Sequence, residues 1–154
     1  MFRIIVNDSQ LQAAFARLRS RTNDQSAAMS NIGEYMSRRV DDGFRKEQDF
    51  YGSPWAKLSD RTIKQKQKKR QIQKILQSSG LLRGTFSYTA STNSVEIGTN
   101  RVSASGAPLG LLHQLGSRKN NLPARPMLPD PDRLPPQDLE EVLAIIGDHV
   151  ESAW

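Results

Sequence analysis

The chain has 154 residues, of which 36% are apolar and 25% charged, and its formal net charge is +6. A chain of this length can bury a real core, so we predict a single domain over residues 1–154. The absence of cysteine excludes disulfides, thiolate catalysis and cysteine-ligated metals. No apolar run approaches the roughly 20 residues of a membrane span. The first residues lack a signal-peptide pattern, so we expect folding and assembly in the cytoplasm without membrane contact.

The N-terminal region predicts a short strand and then a helix. Phe2 to Val6 has the alternation of a strand, and Ser9 with Gln12 has the spacing of a capping box. The helical stripe after it consists of Leu11, Ala14, Phe15 and Leu18. Thr22 to Asp24 either interrupts or kinks this helix, and Thr22 with Gln25 could begin the next one.

A second, longer amphipathic helix is predicted to extend to about Asp49. Its stripe recurs at intervals of three and four: Met29, Ile32, Met36, Val40 and Phe44. Gly52 and Pro54 then break the helix, and we expect Trp55 to pack back on it. The stripe is typical of core packing.

Residues 52–74 form a basic connecting arm. Ser59 is a predicted N-cap, with Leu58 and Ile63 as a hydrophobic staple. The arm's stretch from residue 61 to 74 contains no acid and seven basic residues, namely Arg61, Lys64, Lys66, Lys68, Lys69, Arg70 and Lys74. This composition indicates an exposed helix or a mobile arm. It suits a solvated face, an acidic protein partner or non-specific contact with DNA.

The middle of the chain predicts a β-hairpin and then a proline-rich passage. Residues 86–90 and 95–97 alternate apolar and polar around a polar turn. Pro108 can open a short helix that Gly116 ends. Seven of the eight prolines lie between Pro108 and Pro136, which predicts an extended passage outside the core.

The C-terminal residues 130–154 predict an acidic amphipathic helix that begins near Pro136. Their seven acids oppose one arginine, so they carry −6 and the first 129 residues carry +12 of the total +6. The apolar stripe of this helix is Leu139, Val142, Leu143, Ile146 and Val150. One acidic and one basic surface on the same chain suit nucleic-acid binding or self-complementary packing between copies.

The sequence argues against an enzyme, a metal site and a cofactor. Its two histidines, His113 and His149, have no ligand spacing. The adjacent acids Asp41 and Asp42 point to different helix faces, which predicts two solvated carboxylates. No nucleophile elbow, P-loop or dinucleotide motif occurs.

Five short motifs in order resemble the phage virion-morphogenesis proteins, also called tail-completion proteins, including the Mu-like members. They are "GSPWAKLSDRTIKQK", "KILQSSGLLRGTFSY", "VEIGTN", "LLHQLG" and "LPARPMLP", from about Gly52 to Pro129. The loop "RVSASGAPLGLL" is longer and richer in glycine than the family pattern. The matched positions are Trp55, Gly80, Leu82, Gly98, His113, Gln114, Gly116, Pro123, Arg125 and Pro126.

The resemblance implies an α+β fold with a long N-terminal helix, a small antiparallel sheet and a C-terminal helix. It also implies a structural, non-catalytic subunit of a tailed-phage virion. Such a subunit closes the tail at the head-tail junction as a homo-oligomeric, hexameric ring and meets other neck and tail proteins. A non-specific DNA-binding protein that uses residues 61–74 is the alternative.

The residues predicted at a subunit or partner interface are Trp55, His113, Gln114, Arg125 and Pro126. Pro123 and Pro126 fix an extended backbone and remove two amide donors. We expect Arg125 to bind a carboxylate of the same or the next subunit. The basic arm is expected to face an acidic partner or DNA in the lumen.

Overall fold

The computed structural model describes residues 2–3, 8–21 and 23–152, and these residues form an α+β fold. The helices are α1 Ser9–Arg21, α2 Ser26–Lys46, α3 Asp60–Lys68, α4 Leu81–Gly84, α5 Leu109–Leu115 and α6 Pro136–Ser152. The strands are β1 Phe2–Arg3, β2 Ser87–Ala90 and β3 Val95–Thr99, in the sheet order β1-β3-β2. The predicted fold class is therefore confirmed. Within the predicted first strand, residues 4–6 lie outside the described residues.

The contacts of the chain group it into two compact units. Unit 1 comprises Arg39–Ser87 and Gly98–Leu128, together with Phe2. Unit 2 comprises Tyr88–Ile97 and the described residues of 3–38 and 129–152. α2 and the two hairpin strands contribute residues to both units. The prediction of one domain stays a prediction.

In unit 2, α1 packs against α6. Leu11, Ala14 and Leu18 of α1 are buried, as are Val142 and Ile146 of α6. The other predicted members are half-buried, namely Phe15, Leu139, Leu143 and Val150, so the stripes are confirmed in part. Burial of such stripes contributes about 25 cal/mol for each Å² of apolar surface removed from water.

The N-cap of α1 differs from the prediction. Asp8 Oδ1 accepts hydrogen bonds from the backbone N–H groups of Gln10 and Leu11, at 2.9 and 3.2 Å. The helix begins at Ser9, so Asp8 rather than Ser9 caps it. A carboxylate at this position also interacts favourably with the helix dipole. The second predicted cap, Thr22, lies outside the described residues, and Asp24 Oδ1 instead accepts from the N–H of Ser26 at the start of α2.

The long stripe of α2 is confirmed: Met29, Ile32, Met36, Val40 and Phe44 are each at most 8% exposed. The helix ends at Lys46, three residues before the predicted end. In unit 1 the last carbonyls of α2 accept hydrogen bonds from side chains further along the chain. Gln77 Nε2 donates to Phe44 O at 2.8 Å and Lys74 Nζ to Arg45 O at 3.3 Å. These bonds satisfy carbonyls that a helix end leaves free.

The predicted hairpin is confirmed, with Ser91 N–H donating to Ser94 O at 2.8 Å across the turn. Within unit 2, the ring of Tyr88 in β2 explains why α2 has a glycine at position 33. A Cβ added to Gly33 would lie 2.2 Å from the Tyr88 ring. The ring therefore occupies the space of the missing side chain.

Also in unit 2, a buried acid lies at the start of α6. Asp138 is 0% exposed, and Tyr35 Oη donates to its Oδ1 at 2.5 Å. The sequence predicts only that Asp138 interacts with the helix dipole, whereas its burial gives it a packing role as well.

In unit 1, Asp41 differs from the prediction of a solvated carboxylate. Arg83 Nε donates to it at 2.5 Å, and Arg45 lies 2.7 Å from it.

α3 in unit 1 begins as predicted and then differs at one lysine. Ser59 Oγ accepts from the N–H of Thr62 at 3.2 Å, which confirms the N-cap. The helix covers the first half of the predicted basic stretch. Lys66, however, is only 4% exposed, and its Nζ donates to Ile72 O at 2.9 Å and Lys74 O at 2.5 Å. Lys66 is therefore not one of the exposed cations of the arm, because its ammonium group is bound to carbonyls of the loop after α3.

Part of the proline-rich passage lies in the core, contrary to the prediction of an extended passage outside it. Met127, Leu128 and Leu134 are between 2% and 5% exposed.

Among the described residues, no helix is long and apolar enough to cross a membrane.

Candidate functional site: the proline segment and a cationic cleft

The site lies in unit 1 and begins with α5, the "LLHQLG" motif. Gly116 ends this helix as predicted, and its N–H donates to Leu112 O at 2.8 Å. Its φ of 73° favours glycine, and a Cβ there would lie 2.7 Å from Ala124 N and 2.8 Å from Leu122 O. Gly116 therefore lets the returning chain pass close to the end of α5.

The returning chain, residues 123–128, is here called the proline segment, and Gln114 of α5 binds its backbone. Gln114 Oε1 accepts from the N–H groups of Met127 and Leu128, at 2.8 and 3.1 Å. Its Nε2 donates to Leu128 O at 2.8 Å. One amide side chain thus replaces a neighbouring strand for two buried residues. This explains how the segment enters the core without leaving buried backbone groups unpaired.

Trp55, which belongs to the motif "GSPWAKLSDRTIKQK", also binds the proline segment. Its indole Nε1 donates to Pro126 O at 2.8 Å. Its ring packs edge to face on Phe44, with centroids 5.4 Å apart, which confirms that Trp55 packs back on α2. Trp55 is 4% exposed, so both ends of the side chain are used inside unit 1.

Arg125 binds carbonyl oxygens within unit 1, and its contact with a carboxylate of the next subunit stays a prediction. Its Nε donates to Ala56 O at 2.8 Å and its NH2 to Lys57 O at 3.2 Å. Its backbone N–H donates to His113 O at 2.6 Å. The planar, multi-donor guanidinium thereby ties the proline segment to the residues after Trp55. Arg125 is 6% exposed.

A cleft of about 510 Å³ opens beside the proline segment, within unit 1. We call it the cationic cleft. Its basic lining residues are Lys57, Lys66, Arg101, His113 and Arg125. Its apolar walls are leucines: Leu58, Leu76, Leu81, Leu82, Leu109 and Leu122. No aspartate or glutamate lines it.

Two charged groups of the cleft, Lys66 and Arg125, are poorly hydrated. Burial lowers the pKa of Lys66, and repulsion from Arg125 lowers it further, while Glu47 acts in the opposite direction. Burial also lowers the pKa of Arg125. Neither cation has a carboxylate within 4.0 Å among the described residues. Glu47 Oε1 instead accepts from the N–H of Ile75 at 2.5 Å.

His113 contributes an imidazole to the wall of the cleft. Burial first, and then the charge of Arg125, lower its pKa. Its Nδ1 is buried and has no hydrogen-bond partner within the described part of the chain. Because burial and the charge of Arg125 both disfavour the protonated ring, His113 is poorly placed to act as a base. Across residues 2–3, 8–21 and 23–152, no group of three or more His, Cys, Asp or Glu side chains could hold a metal ion.

The structure brings together the five residues predicted at an interface, Trp55, His113, Gln114, Arg125 and Pro126, around the proline segment. It uses the polar groups of Trp55, Gln114 and Arg125 within unit 1. Contact of these residues with a second subunit stays a prediction. Of the basic arm, six residues are exposed: Arg61, Lys64, Lys68, Lys69, Arg70 and Lys74.

Three residues around this site were missed by the sequence analysis. Lys57 and Arg101 line the cleft. Gln77 donates to Phe44 O at the end of α2, and its Oε1 accepts from Arg83 NH1 at 3.2 Å. Arg101 follows β3 and Lys57 follows Trp55, so only the fold places them at one cleft. Gln77 lies next to "SSGLLRG", but a glutamine in a polar stretch carries no signal of burial.

Comparison with known families decides the class of the protein. The model of the phage virion morphogenesis family matches residues 6–151, which is nearly the whole chain. The chain belongs to the phage virion morphogenesis family. No curated protein and no solved structure matches it. As a member of this family, it has a structural or assembly role in the phage particle, and the buried motif residues described above hold its fold.

Proposed function

We propose that the protein is a structural subunit of the head-tail junction that closes the tail and joins it to the head as an oligomeric ring. The match to the phage virion morphogenesis family over residues 6–151 is the observation that carries the proposal. The family supports a virion protein, and the ring and its position are our own inference. We propose no catalytic role, and we expect other neck and tail proteins as neighbours.

The charge distribution supports assembly by contacts between unlike surfaces. Six cations of the basic arm are exposed in unit 1. In unit 2, α6 exposes Glu140, Glu141, Asp148 and Glu151. A contact between different surfaces of identical copies closes into a ring when the rotation allows it. A hexamer is the ring size that we propose.

Size-exclusion chromatography with light scattering, over a series of salt concentrations, tests the ring. The variant Lys68→Glu/Lys69→Glu reverses two exposed cations of the arm, and Arg17→Glu/Arg19→Glu reverses two exposed cations of α1 as the matched control. We expect a ring for the wild type and the control, and a shift toward monomer for the arm variant. An arm variant of unchanged size at every salt concentration would contradict a role of the arm in assembly.

The six exposed cations also support a second function, non-specific DNA binding. Contacts with phosphates release counterions, so the affinity for DNA would fall steeply with salt. A gel shift with duplex DNA at low and moderate salt separates the two functions. A monomer or dimer with strongly salt-dependent binding favours the DNA-binding protein, whereas a ring with weak binding favours the junction subunit.

A further inference from the structure

The cationic cleft contains two buried cations that form no ion pair with a carboxylate of the described residues. Lys66 and Arg125 are 4% and 6% exposed and both line the cleft. Each donates two hydrogen bonds to backbone carbonyls. Carbonyl oxygens satisfy the N–H donors but bring no negative charge.

Two buried cations without an ion-pair partner are unfavourable, because each has lost part of its hydration and the two repel each other. The pKa of Lys66 reflects this cost: burial lowers it most, the charge of Glu47 acts in the opposite direction, and repulsion from Arg125 lowers it further. Arg101, half-buried, and Lys57, exposed, add positive charge at the cleft. An anionic group in the cleft would offset this cost.

The walls of the cleft indicate which kind of anion fits. Six leucines surround the cations, and Leu81 remains 47% exposed. A nucleic-acid backbone offers phosphates but little apolar surface for leucine walls. A protein segment that carries carboxylates beside an aliphatic side chain matches both parts of the lining.

The chain itself has such a segment in α6. Glu141, Ile145 and Asp148 are spaced by four and three residues, which places them on one face of the helix. Glu141 and Asp148 are exposed and Ile145 is half-buried. This set is called the acidic face of α6.

We propose that the cationic cleft binds the acidic face of α6 from a second copy of this chain. The carboxylates of Glu141 and Asp148 would approach Lys57, Arg101 and the buried cations, and Ile145 would contact the leucine walls. The proposal rests on the proposed ring, and it names the two surfaces that meet there. Because the surfaces differ, each copy donates one and receives one.

Charge exchange tests the contact in the full-length chain. The cleft variant is Lys57→Glu/Arg101→Glu, which leaves Lys66 and Arg125 and their internal hydrogen bonds intact. The helix variant is Glu141→Lys/Asp148→Lys, and a third chain carries all four changes. Arg17→Glu/Arg19→Glu is the matched control, and circular dichroism checks that each variant is folded.

We expect the cleft variant and the helix variant each to be at least tenfold weaker in assembly by light scattering. The chain with all four changes, and an equimolar mixture of the two variants, should assemble again because opposite charges then meet. The ring resonance of His113, followed by NMR, should shift on mixing, since its ring lines the cleft.

The outcomes separate this proposal from the ring. A wild-type ring together with a cleft variant that assembles like the control would overturn the cleft contact and leave the ring standing. Loss of DNA binding in the cleft variant, with assembly unchanged, would overturn it in favour of a phosphate. A wild type that is monomeric at every concentration would remove the ring and this contact together.

Discussion

The proline segment of unit 1 and the α1–α6 pair of unit 2 both contribute buried residues, but different kinds of contact hold them. The helices meet through apolar side chains at helical spacing, such as Leu18 and Val142. The proline segment is held by hydrogen bonds from Gln114, Trp55 and Arg125. Prolines prevent a regular ladder there, so side chains satisfy the backbone instead. A passage rich in proline can therefore belong to the core when polar side chains are aimed at it.

The largest effect that we expect comes from Gln114→Leu, which keeps the size of the side chain but removes three hydrogen bonds. The buried N–H groups of residues 127 and 128 and one carbonyl would lose their partners, each at about 1–3 kcal/mol. We expect the free energy of unfolding to fall by about 3–5 kcal/mol, measured by urea denaturation. Gln137→Leu on the exposed side of α6 is the control, and a similarly small effect of both changes would show that the hydrogen bonds are unimportant.

Leu18→Ala tests the apolar side of the comparison. Leu18 is 0% exposed, and removal of a buried leucine side chain leaves a cavity. We expect a loss of about 3 kcal/mol in the same assay. Leu18→Met should cost less than about 1.5 kcal/mol because it keeps the volume. Equal effects of alanine and methionine would argue against close packing in the α1–α6 pair.

A smaller effect is expected at the start of α1. Asp8→Ala removes the acceptor of two helix N–H groups, at a cost of about 1 kcal/mol. Ser9→Ala should be nearly neutral, because Ser9 lies inside the helix. The two variants are compared by thermal unfolding under circular dichroism. A larger loss of stability for Ser9→Ala than for Asp8→Ala would identify Ser9 as the cap.

The smallest effect is a dependence on pH at the cleft. The folded pKa of His113 is lowered from its usual 6.5, so the unfolded chain binds the proton more tightly. The contribution of the neutral ring is present above pH 6.5 and is lost as the pH falls from there through the folded pKa. His113→Gln should therefore flatten the loss of unfolding free energy between pH 7.5 and 5, with His149→Gln as the control. If His113→Gln and the wild type lose unfolding free energy equally over this pH range, the ring of His113 is not buried in the folded protein.

The sequence predicted much of the helical and hairpin structure because these features repeat locally. The stripe of α2, the N-cap at Ser59, the hairpin and the helix end at Gly116 all follow from spacing between near neighbours. The cap at Asp8 was missed because Ser9 offers the same chemistry one residue later. The candidate site was found in part: the motif residues do lie together, and three of them form internal hydrogen bonds that the sequence did not predict. Their contact with a second subunit stays a prediction.

The sequence by itself determined the class of the protein, since five ordered motifs and the family match agree on phage virion morphogenesis. It also determined the segregation of acidic and basic residues. Only the tertiary structure decided which polar side chains are buried: Lys66, Gln114 and Arg125 look like surface residues by composition. The physical reason is that their partners are backbone carbonyls and amides distant in sequence or hidden in loops, and such partners leave no periodic pattern in the chain.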